Sequence, residues 1–210
     1  MTEMAGAPLT KPRKQAVQAR SRALVDALVE ATARILVRDG FDRASTNRIA
    51  EEAGVSVGSL YQYFPSKEAL VAALIERHNS DLMALVRRAV AEVAEEPVAT
   101  GARRLIASAI AAHRLDPKLH GVLAEQIPRV GALENVEAFN REGYTLFRAY
   151  LEAHRDELRA TDLDMAAFVC VTSIEALTHT AVLHRPDFLS DAAAETLVDE
   201  ATRLVLGYLL

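Results

Sequence analysis

Residues 46–64 read TNRIAEEAGVSVGSLYQYF, and this stretch decides how the first part of the chain folds. The spacing predicts a short helix over residues 46–53 with Ser45 or Thr46 as its N-cap, because a hydroxyl side chain accepts backbone N–H groups that a helix start leaves unpaired. Gly54 stands just past the end of that helix, where a left-handed residue is needed.

A second short helix follows over residues 57–63. Ser56 is positioned to cap it, and Phe64 with Pro65 ends it. Two short helices joined by a tight turn have the form of a helix-turn-helix, in which the second helix enters the major groove and its N-terminal side chains meet base edges.

The second helix is poor in large apolar residues on one face. We expect a small core of four side chains, namely Ile49, Ala50, Val55 and Leu60, and an outward face formed by Val57, Gly58, Ser59, Gln62 and Tyr63. Gly58 is unusual in a helix, where glycine costs up to about 1 kcal/mol relative to alanine. A backbone that must approach DNA closely explains it.

Helical periodicity continues on both sides of this stretch. A stripe of apolar residues from Val25 to Leu36 predicts a first helix that stops near Gly40, and the segment from Ser66 to about Ala94 predicts a helix of roughly 40 Å. Beyond Gly101, further helices are predicted over residues 105–114, 117–129, 136–158, 163–183 and 192–209, with breaks near Asp116, Gly131 and Thr161. No convincing alternation of strand type is present, so we predict an all-α protein of about nine helices.

The stretch from Ala31 to Leu70 strongly resembles the DNA-binding domain of the TetR family of bacterial transcriptional regulators. The residues that carry the resemblance are Gly40-Phe41, Thr46, Ile49-Ala50, Ala53-Gly54-Val55-Ser56, Gly58, Leu60-Tyr61, Tyr63-Phe64, Ser66-Lys67 and Leu70. The resemblance implies an N-terminal three-helix DNA-binding domain followed by a C-terminal helical domain for ligand binding and dimerisation. We place the domains at residues 20–66 and 67–210, after a flexible basic arm over residues 1–19.

The resemblance also implies which residues touch DNA. It places Thr46, Tyr61, Tyr63 and Lys67 at positions that contact the phosphate backbone, and it places Asn47, Val57 and Ser59, beside Gly58, where family members read bases. Asparagine suits adenine and valine suits a thymine methyl group. The alternative, that Val57 and Ser59 only support helix packing, stays open.

The arm ahead of the first helix is basic, with Lys11, Arg13, Lys14, Arg20 and Arg22 against Glu3 alone up to residue 22. Such an arm suits either a polyanionic partner or a solvated tail. The resemblance adds a third possibility, contacts with phosphates or the minor groove.

The last two predicted helices are the most apolar, and the resemblance implies a homodimer whose recognition helices lie about 34–36 Å apart. We expect small and apolar residues of these helices to form the dimer interface, although they suit a monomer core as well. The predicted interface residues are Val169, Thr172, Ser173, Ala176, Leu177, Thr180, Leu197, Ala201, Leu204, Val205 and Tyr208.

The resemblance further implies a pocket for a small effector in the C-terminal part. Apolar walls and a few polar groups on otherwise apolar helices are what such a site requires. The candidate wall residues are Leu123, Phe139, Tyr144, Phe147 and Phe168, and the candidate polar contacts are Gln126, Asn140, Thr172, Glu175 and His179.

Several other functions lack residues to carry them. Cys170 is the single cysteine and is expected to be a small buried hydrophobe. His113, His120, His154, His179 and His184 lack a spacing that predicts three ligands together, and no phosphate-binding glycine loop or nucleophile elbow is present, so we expect no metal, no cofactor and no enzyme activity. The polar start and the lack of an uninterrupted apolar stretch of spanning length place the chain in the cytoplasm.

The sequence therefore predicts a homodimeric, ligand-responsive transcriptional regulator. We expect a repressor that occupies a pseudo-palindromic operator in double-stranded DNA and leaves it when a small, mostly apolar effector binds. Two alternatives remain: a regulator of the same fold that activates or needs a corepressor, and a helical small-molecule-binding protein or enzyme whose N-terminal unit mediates protein contacts.

Overall fold

A computed structural model of the protein describes residues 19–131 and 133–210. Within these residues the chain forms nine α-helices, two short 3-10 helices and no strand, which confirms the predicted all-α class. The α-helices are α1 (Ala19–Asp39), α2 (Thr46–Glu52), α3 (Val57–Tyr63), α4 (Lys67–Glu92), α5 (Val98–Leu115), α6 (Pro117–Val130), α7 (Leu133–Ala153), α8 (Leu163–His184) and α9 (Asp191–Leu209). Most of the predicted basic arm lies outside the described residues; Arg20 and Arg22 belong to α1.

The chain divides into two compact units. The first takes in the chain up to His78 together with Val122–Asn135, and the second takes in Asn79–Gly121 together with Val136–Leu210. The predicted domain boundary at residues 66 and 67 concerns function and stays a prediction.

Local hydrogen bonds set the ends of the short helices in the first unit. Ser45, not Thr46, caps α2: its side chain accepts the N–H of Arg48 at 3.3 Å. Gly54 has a φ of +67°, a left-handed value that side chains rarely tolerate, and the next residue, Val55, donates its N–H to the carbonyl of Ala50 at 3.0 Å. The predicted turn is therefore confirmed residue by residue.

Fully buried side chains from four helices form the core of the first unit. α1 packs against α2, and α2 packs against α3. The largest of these side chains are Leu28, Ile35, Leu36, Ile49, Leu60, Phe64, Leu70 and Leu74. Helices of seven residues are too short to be stable alone in water, so α2 and α3 depend on this burial and on their caps.

In the second unit α5 lies against both α8 and α9. Its apolar side chains Val98, Ile106 and Ile110 join residues of α7, α8 and α9 in one core cluster. On the outside, Arg103 pairs with Glu195 and with Asp199, the latter at 2.9 Å, and Arg114 donates to the carbonyl of Leu189 at 2.8 Å. The α5–α9 contact is thus apolar inside and ion-paired at its edge.

The predicted helix over residues 105–114 begins too late, because α5 begins at Val98 and runs through Gly101. The tertiary structure explains why a glycine stands inside the helix. A Cβ at position 101 would lie 2.1 Å from the hydroxyl oxygen of Tyr150 and 2.9 Å from its Cζ. Tyr150 is 4% exposed and donates its hydroxyl to the carbonyl of Glu96 at 3.2 Å, so the ring is held against the helix backbone.

The predicted helix over residues 136–158 is also shorter than expected at its end, since α7 stops at Ala153 and a 3-10 turn, Arg155–Glu157, follows.

One described helix, α8, is long and apolar enough to cross a membrane by length and composition. Core helices of other proteins meet the same criterion. Because Leu163, Ala166 and Cys170 of α8 lie in the core cluster, we assign this helix to the protein core.

The outward faces of α8 and α9 carry exposed apolar side chains. Leu177, Leu204 and Tyr208 of the predicted interface are 38%, 54% and 40% exposed, and Met165 and Phe168 add to the same class. Two other predicted interface residues, Ala201 and Val205, are buried in the core cluster, so for them the interface prediction is wrong and the alternative, a monomer core, holds.

We expect Gly101→Ala to lower the free energy of unfolding by about 1–3 kcal/mol, the usual range for overpacking, because the added Cβ overlaps the held Tyr150 ring. The matched control is Gly143→Ala in α7, where the added Cβ meets only Val171 at 3.9 Å and alanine should stabilise the helix by roughly 0.5–1 kcal/mol. Denaturant unfolding of both variants measures this. Equal stability of the two would contradict the described packing.

Candidate nucleic-acid interface

The helix α3 is held by its N-cap and by a few apolar side chains. The Ser56 hydroxyl oxygen accepts the N–H of Ser59 at 3.1 Å and lies 2.8 Å from the Ser59 hydroxyl. Leu60 is fully buried, whereas Gly58 and Gln62 are exposed. One side of α3 is thus anchored and the other is open, as a recognition helix requires.

Two residues that are predicted to contact the DNA backbone lie in contact with each other. The hydroxyl of Thr46, at the start of α2, lies 3.0 Å from the hydroxyl of Tyr61 in α3, and the Tyr61 side chain is 40% exposed. The pair joins the two helices and places two hydroxyl groups at one point of the surface. Both residues are predicted from the sequence to contact DNA, but the sequence carries no signal for their contact with each other, because fifteen positions separate them.

Gly58 has no packing reason inside the protein. A Cβ at this position would have only the Ser56 hydroxyl oxygen near it, at 3.9 Å. The position is exposed and helical. Gly58 is not among the glycines with a positive φ, so its backbone conformation does not require a glycine either. The missing side chain therefore leaves room for something outside the chain.

Tyr63 does not face outward as predicted. Its side chain is 6% exposed and sits beside the fully buried Phe64 in sequence, so it belongs to the core of the first unit. The period of α3 turns position 63 inward together with Leu60, three residues earlier. Its predicted contact with the DNA backbone stays a prediction, but its structural role is now clear.

Lys67 has a structural role in addition to the predicted one. Its ammonium group donates to the carbonyls of Phe41 at 3.0 Å and Ala44 at 3.3 Å, and it lies 4.1 Å from the centroid of the Phe41 ring. These partners orient the side chain without cancelling its charge. Among the described residues no carboxylate forms a salt bridge with it, so the charge remains available to a phosphate at the start of α4.

Three described arginines of the same unit are paired with carboxylates. Glu52 accepts Arg34 at 2.9 Å and Arg38 at 3.1 Å, and Asp39 accepts Arg48 at 2.6 Å. The hydrogen bonds from Arg34 and Arg38 hold the pKa of Glu52 below its ordinary value. This network ties α1 to α2 and leaves little unpaired positive charge on that side of the unit.

The predicted base-reading residues differ in exposure. Asn47 is exposed, whereas Val57 and Ser59 are half-buried. The hydroxyl of Ser59 is also engaged with the cap residue Ser56, which favours the alternative role in helix support for this residue. Asn47 is therefore the base-reading candidate with the clearest access to a ligand.

The predicted effector residues of α7 and α8 are partly brought together. The hydroxyls of Tyr144 and Thr172 lie 3.1 Å apart, and the Tyr144 and Phe168 rings have centroids 5.9 Å apart. Phe168 is nevertheless 51% exposed in the single chain, and its role as a wall of an effector pocket stays a prediction. Phe147 instead packs on the core cluster and stacks with Tyr150 at 6.1 Å, while Phe139 is half-buried.

Three of the polar side chains that are predicted to contact the effector are buried in an unusual way. In the second unit Asn140 has a buried side-chain oxygen with no hydrogen-bond partner among the described residues, and burial raises the pKa of Glu175 above its ordinary value. In the first unit Gln126, next to the buried Leu123 on α6, has a buried oxygen in the same condition. Buried polar atoms without partners are rare, and a water molecule, an ion or a ligand can supply the missing bond.

His179 belongs to a different arrangement from the one predicted. Its ring meets those of His113 and His120, and one ligand nitrogen of each lies within 4.8 Å of the others. The expectation that no three histidines come together is therefore wrong. It rested on sequence spacing, whereas the three come from α5, α6 and α8, which only the packing of the second unit assembles.

Two family models match the chain. Residues 28–74 match the model described as bacterial regulatory proteins of the tetR family, and residues 97–209 match the tetracyclin repressor-like C-terminal domain. The second match alone covers more than half of the chain.

Individual relatives agree with these matches. The nucleoid occlusion factor SlmA of Actinobacillus pleuropneumoniae is 39% identical over 75 residues, which is 36% of this chain and 36% of that protein. The chain thus matches about a third of the length of the curated relatives.

Solved structures show the same fold. A protein from Mesorhizobium loti described as a TetR-family transcriptional regulator gives a TM-score of 0.75 at 20% identity, covering 90% of this chain and 98% of that one. SmeT of Stenotrophomonas maltophilia, the repressor of the multidrug efflux pump SmeDEF, gives 0.68 at 20% identity over 89% and 90% of the two chains, and a complex of SmeT with triclosan has also been solved.

We expect Gly58→Ala to stabilise the folded chain and to weaken its binding to duplex DNA. Alanine removes the roughly 0.5–1 kcal/mol penalty of a helical glycine, and nothing in the protein obstructs the added Cβ. A DNA backbone that must come close would be obstructed. Thermal unfolding and fluorescence anisotropy with labelled duplex measure the two effects, and unchanged DNA affinity in a stabilised variant would contradict the proposed close approach.

Proposed function

Because the chain belongs to the TetR family of bacterial regulators, we propose that it is a transcriptional repressor that binds a pseudo-palindromic operator as a homodimer and leaves it when a small, mostly apolar effector binds. The observation that carries the proposal is the open side of α3. This helix is capped by Ser56 and anchored by Leu60. It exposes Gly58 at a position where no packing contact within the protein excludes a side chain.

The DNA contacts fall into two classes. The Thr46–Tyr61 hydroxyl pair and Lys67 suit phosphates, which position a protein on the duplex without reading its sequence. Asn47 suits a base edge, because its amide can pair with adenine through two hydrogen bonds. Val57 remains a candidate for a thymine methyl group, and Ser59 a weaker candidate for base contact.

A homodimer is proposed from the exposed faces of α8 and α9. Leu204 is 54% exposed, and Leu177 and Tyr208 are also accessible, so each protomer would present a row of apolar groups to its copy. Exposure of apolar groups to water is unfavourable in free energy, so these groups favour an isologous contact across a two-fold axis. A homodimer supplies two copies of the recognition helix, which is what a pseudo-palindromic operator with two half-sites requires.

Effector binding is proposed for the second unit around Tyr144, Thr172 and Asn140. The unpartnered oxygen of Asn140 needs a donor, which an effector with a hydroxyl or amide group would supply. SmeT provides a precedent for a repressor of this fold with a small molecule bound. Failure of a broad panel of such molecules to change operator affinity would refute release by an effector and leave DNA binding intact.

The proposal places the protein in the cytoplasm as a regulator with no enzyme activity. Repression is chosen over activation because the named repressor SmeT shares the fold. Operator-linked transcription measured with and without effector separates repression from activation or corepression. An enzyme or protein-interaction module would show no salt-dependent affinity for duplex DNA.

For the DNA proposal we expect Tyr61→Phe and Asn47→Ala to act differently. Tyr61→Phe removes one hydroxyl oxygen and should weaken binding to operator and to unrelated duplex by the same factor, about tenfold, since a hydrogen bond to a charged group contributes about 1.5–3 kcal/mol. Asn47→Ala should reduce the difference in binding free energy between operator and non-operator duplex by about 1–3 kcal/mol, because a base contact is lost. Anisotropy titrations against an operator selected from random duplexes, at several salt concentrations, measure both.

Thr100→Val is the control for loss of an exposed hydroxyl group, because Thr100 is exposed on α5, outside the proposed DNA and dimer contacts. It should leave DNA affinity unchanged. The wild-type protein should lose affinity steeply as salt rises, since each phosphate contact releases counterions. Equal loss on every sequence for both test variants would refute the division between backbone and base contacts, and a flat salt response would refute DNA binding itself.

We expect Leu204→Glu to convert the dimer into a folded monomer, since it places a charge in the proposed apolar interface. Light scattering on an eluting column and circular dichroism measure mass and fold. Leu115→Glu is the control, because Leu115 is 76% exposed at the end of α5, outside that interface. A wild-type monomer, or a dimer that survives Leu204→Glu, would contradict the proposed interface.

A further inference from the structure

Three histidine rings meet where α5, α6 and α8 of the second unit come together. The ring centroids of His113 and His120 lie 4.5 Å apart, those of His120 and His179 4.6 Å, and those of His113 and His179 5.4 Å. His120 is 6% exposed, and the other two are half-buried. The cluster is therefore inside the protein but within reach of small ions.

The nitrogen atoms already have a spacing that a metal ion uses. The Nε2 atoms of His120 and His179 lie 3.3 Å apart. Two imidazole nitrogens bound at about 2.0–2.1 Å to one tetrahedral ion are separated by about 3.3 Å. The third ligand nitrogen lies within 4.8 Å of the other two, so the three nitrogens surround one point.

A backbone carbonyl sets the tautomer of one ring. Nδ1 of His113 lies 2.8 Å from the carbonyl oxygen of Ala109, and because a carbonyl only accepts, this nitrogen carries the hydrogen. The lone pair of His113 is thereby left on Nε2. Metal-binding histidines are commonly oriented in this way by a carbonyl on the other nitrogen. Burial also lowers the pKa of His113, which favours the neutral form that binds metals.

The helix ends around the cluster are held in place. Asp116 joins α5 to α6, and it accepts the N–H of Leu119 on its side chain at 2.9 Å and that of His120 on its carbonyl at 3.0 Å. At the next position, a Cβ on Gly121 would stand 3.6 Å from Leu183 and 3.8 Å from Val182, so α6 passes close to α8 here. The positions of the rings are thus set by the fold.

We propose that His113, His120 and His179 bind one divalent transition-metal ion of the class that prefers imidazole ligands, with Zn²⁺ as the representative, and leave its fourth position to a donor from outside the cluster. Neutral imidazole suits such ions, whereas Mg²⁺ and Ca²⁺ prefer oxygen. The proton in the hydrogen bond between His120 and His179 must leave its Nε2 when the ion enters. It moves to Nδ1 of the same ring, so both rings stay neutral and each offers a lone pair. This proposal does not depend on the proposed DNA binding.

The first measurement uses the full chain, stripped with a chelator and titrated calorimetrically with Zn²⁺ alone. We expect one ion per chain, a rise in the melting temperature with Zn²⁺ because the ion binds the folded state, and visible absorption bands of tetrahedral Co²⁺ when Co²⁺ replaces it. Mg²⁺ should produce none of these. A wild-type chain that binds less than one ion and whose melting temperature does not move would overturn the proposal, whatever the variants do.

The second measurement assigns the ion to the cluster. His179→Gln and His113→Gln should each weaken Zn²⁺ binding at least roughly 10- to 100-fold, the loss that even an outer partner of a ligand causes. His184→Gln is the matched control, because His184 lies exposed on the same helix, α8, and should bind as the wild type does. Circular dichroism checks that each variant folds. Equal affinity of His179→Gln and His184→Gln would show that the three rings only pack against one another.

Discussion

The dependence of a seven-residue helix on its neighbours underlies the whole first unit. A helix as short as α3 is unstable by itself, and here it is held by the Ser56 cap at one end and by burial of Leu60 and Tyr63 along one side. The buried apolar contacts of α3 lie on that side. The opposite side is therefore free to be shaped by function alone, and it is there that an otherwise unfavourable residue, Gly58, is tolerated.

The charges of this unit follow the same division. Arg34, Arg38 and Arg48 are paired with Glu52 and Asp39, so they hold α1 and α2 together instead of offering free charge to a polyanion. Lys67 is different, since carbonyls and a ring orient it while its charge stays uncompensated within the described residues. The chain as a whole carries a net charge of −5, so overall basicity does not account for an affinity for DNA.

The second unit is organised around α5, which buries apolar side chains against α8 and α9 and approaches Tyr150 through Gly101. Its last turn carries His113 to the corner where α6 begins. The same helix therefore takes part in the core and in the histidine cluster. The buried or half-buried polar groups of this unit include the Tyr144–Thr172 pair, the Asn140 oxygen, which has no partner among the described residues, and the three imidazoles.

The sequence by itself determined the short helices α2 and α3, the Ser56 cap, the left-handed Gly54 and hence the helix-turn-helix, because these features depend on hydrogen bonds between residues three to five positions apart. Only the tertiary structure decided that Tyr63 turns inward, that Thr46 meets Tyr61, that Gly101 makes room for Tyr150 and that His113, His120 and His179 meet. In each of these cases the partners belong to different helices or to a buried face. Their contact depends on how whole helices pack, and the spacing of residues along the chain carries no signal for it.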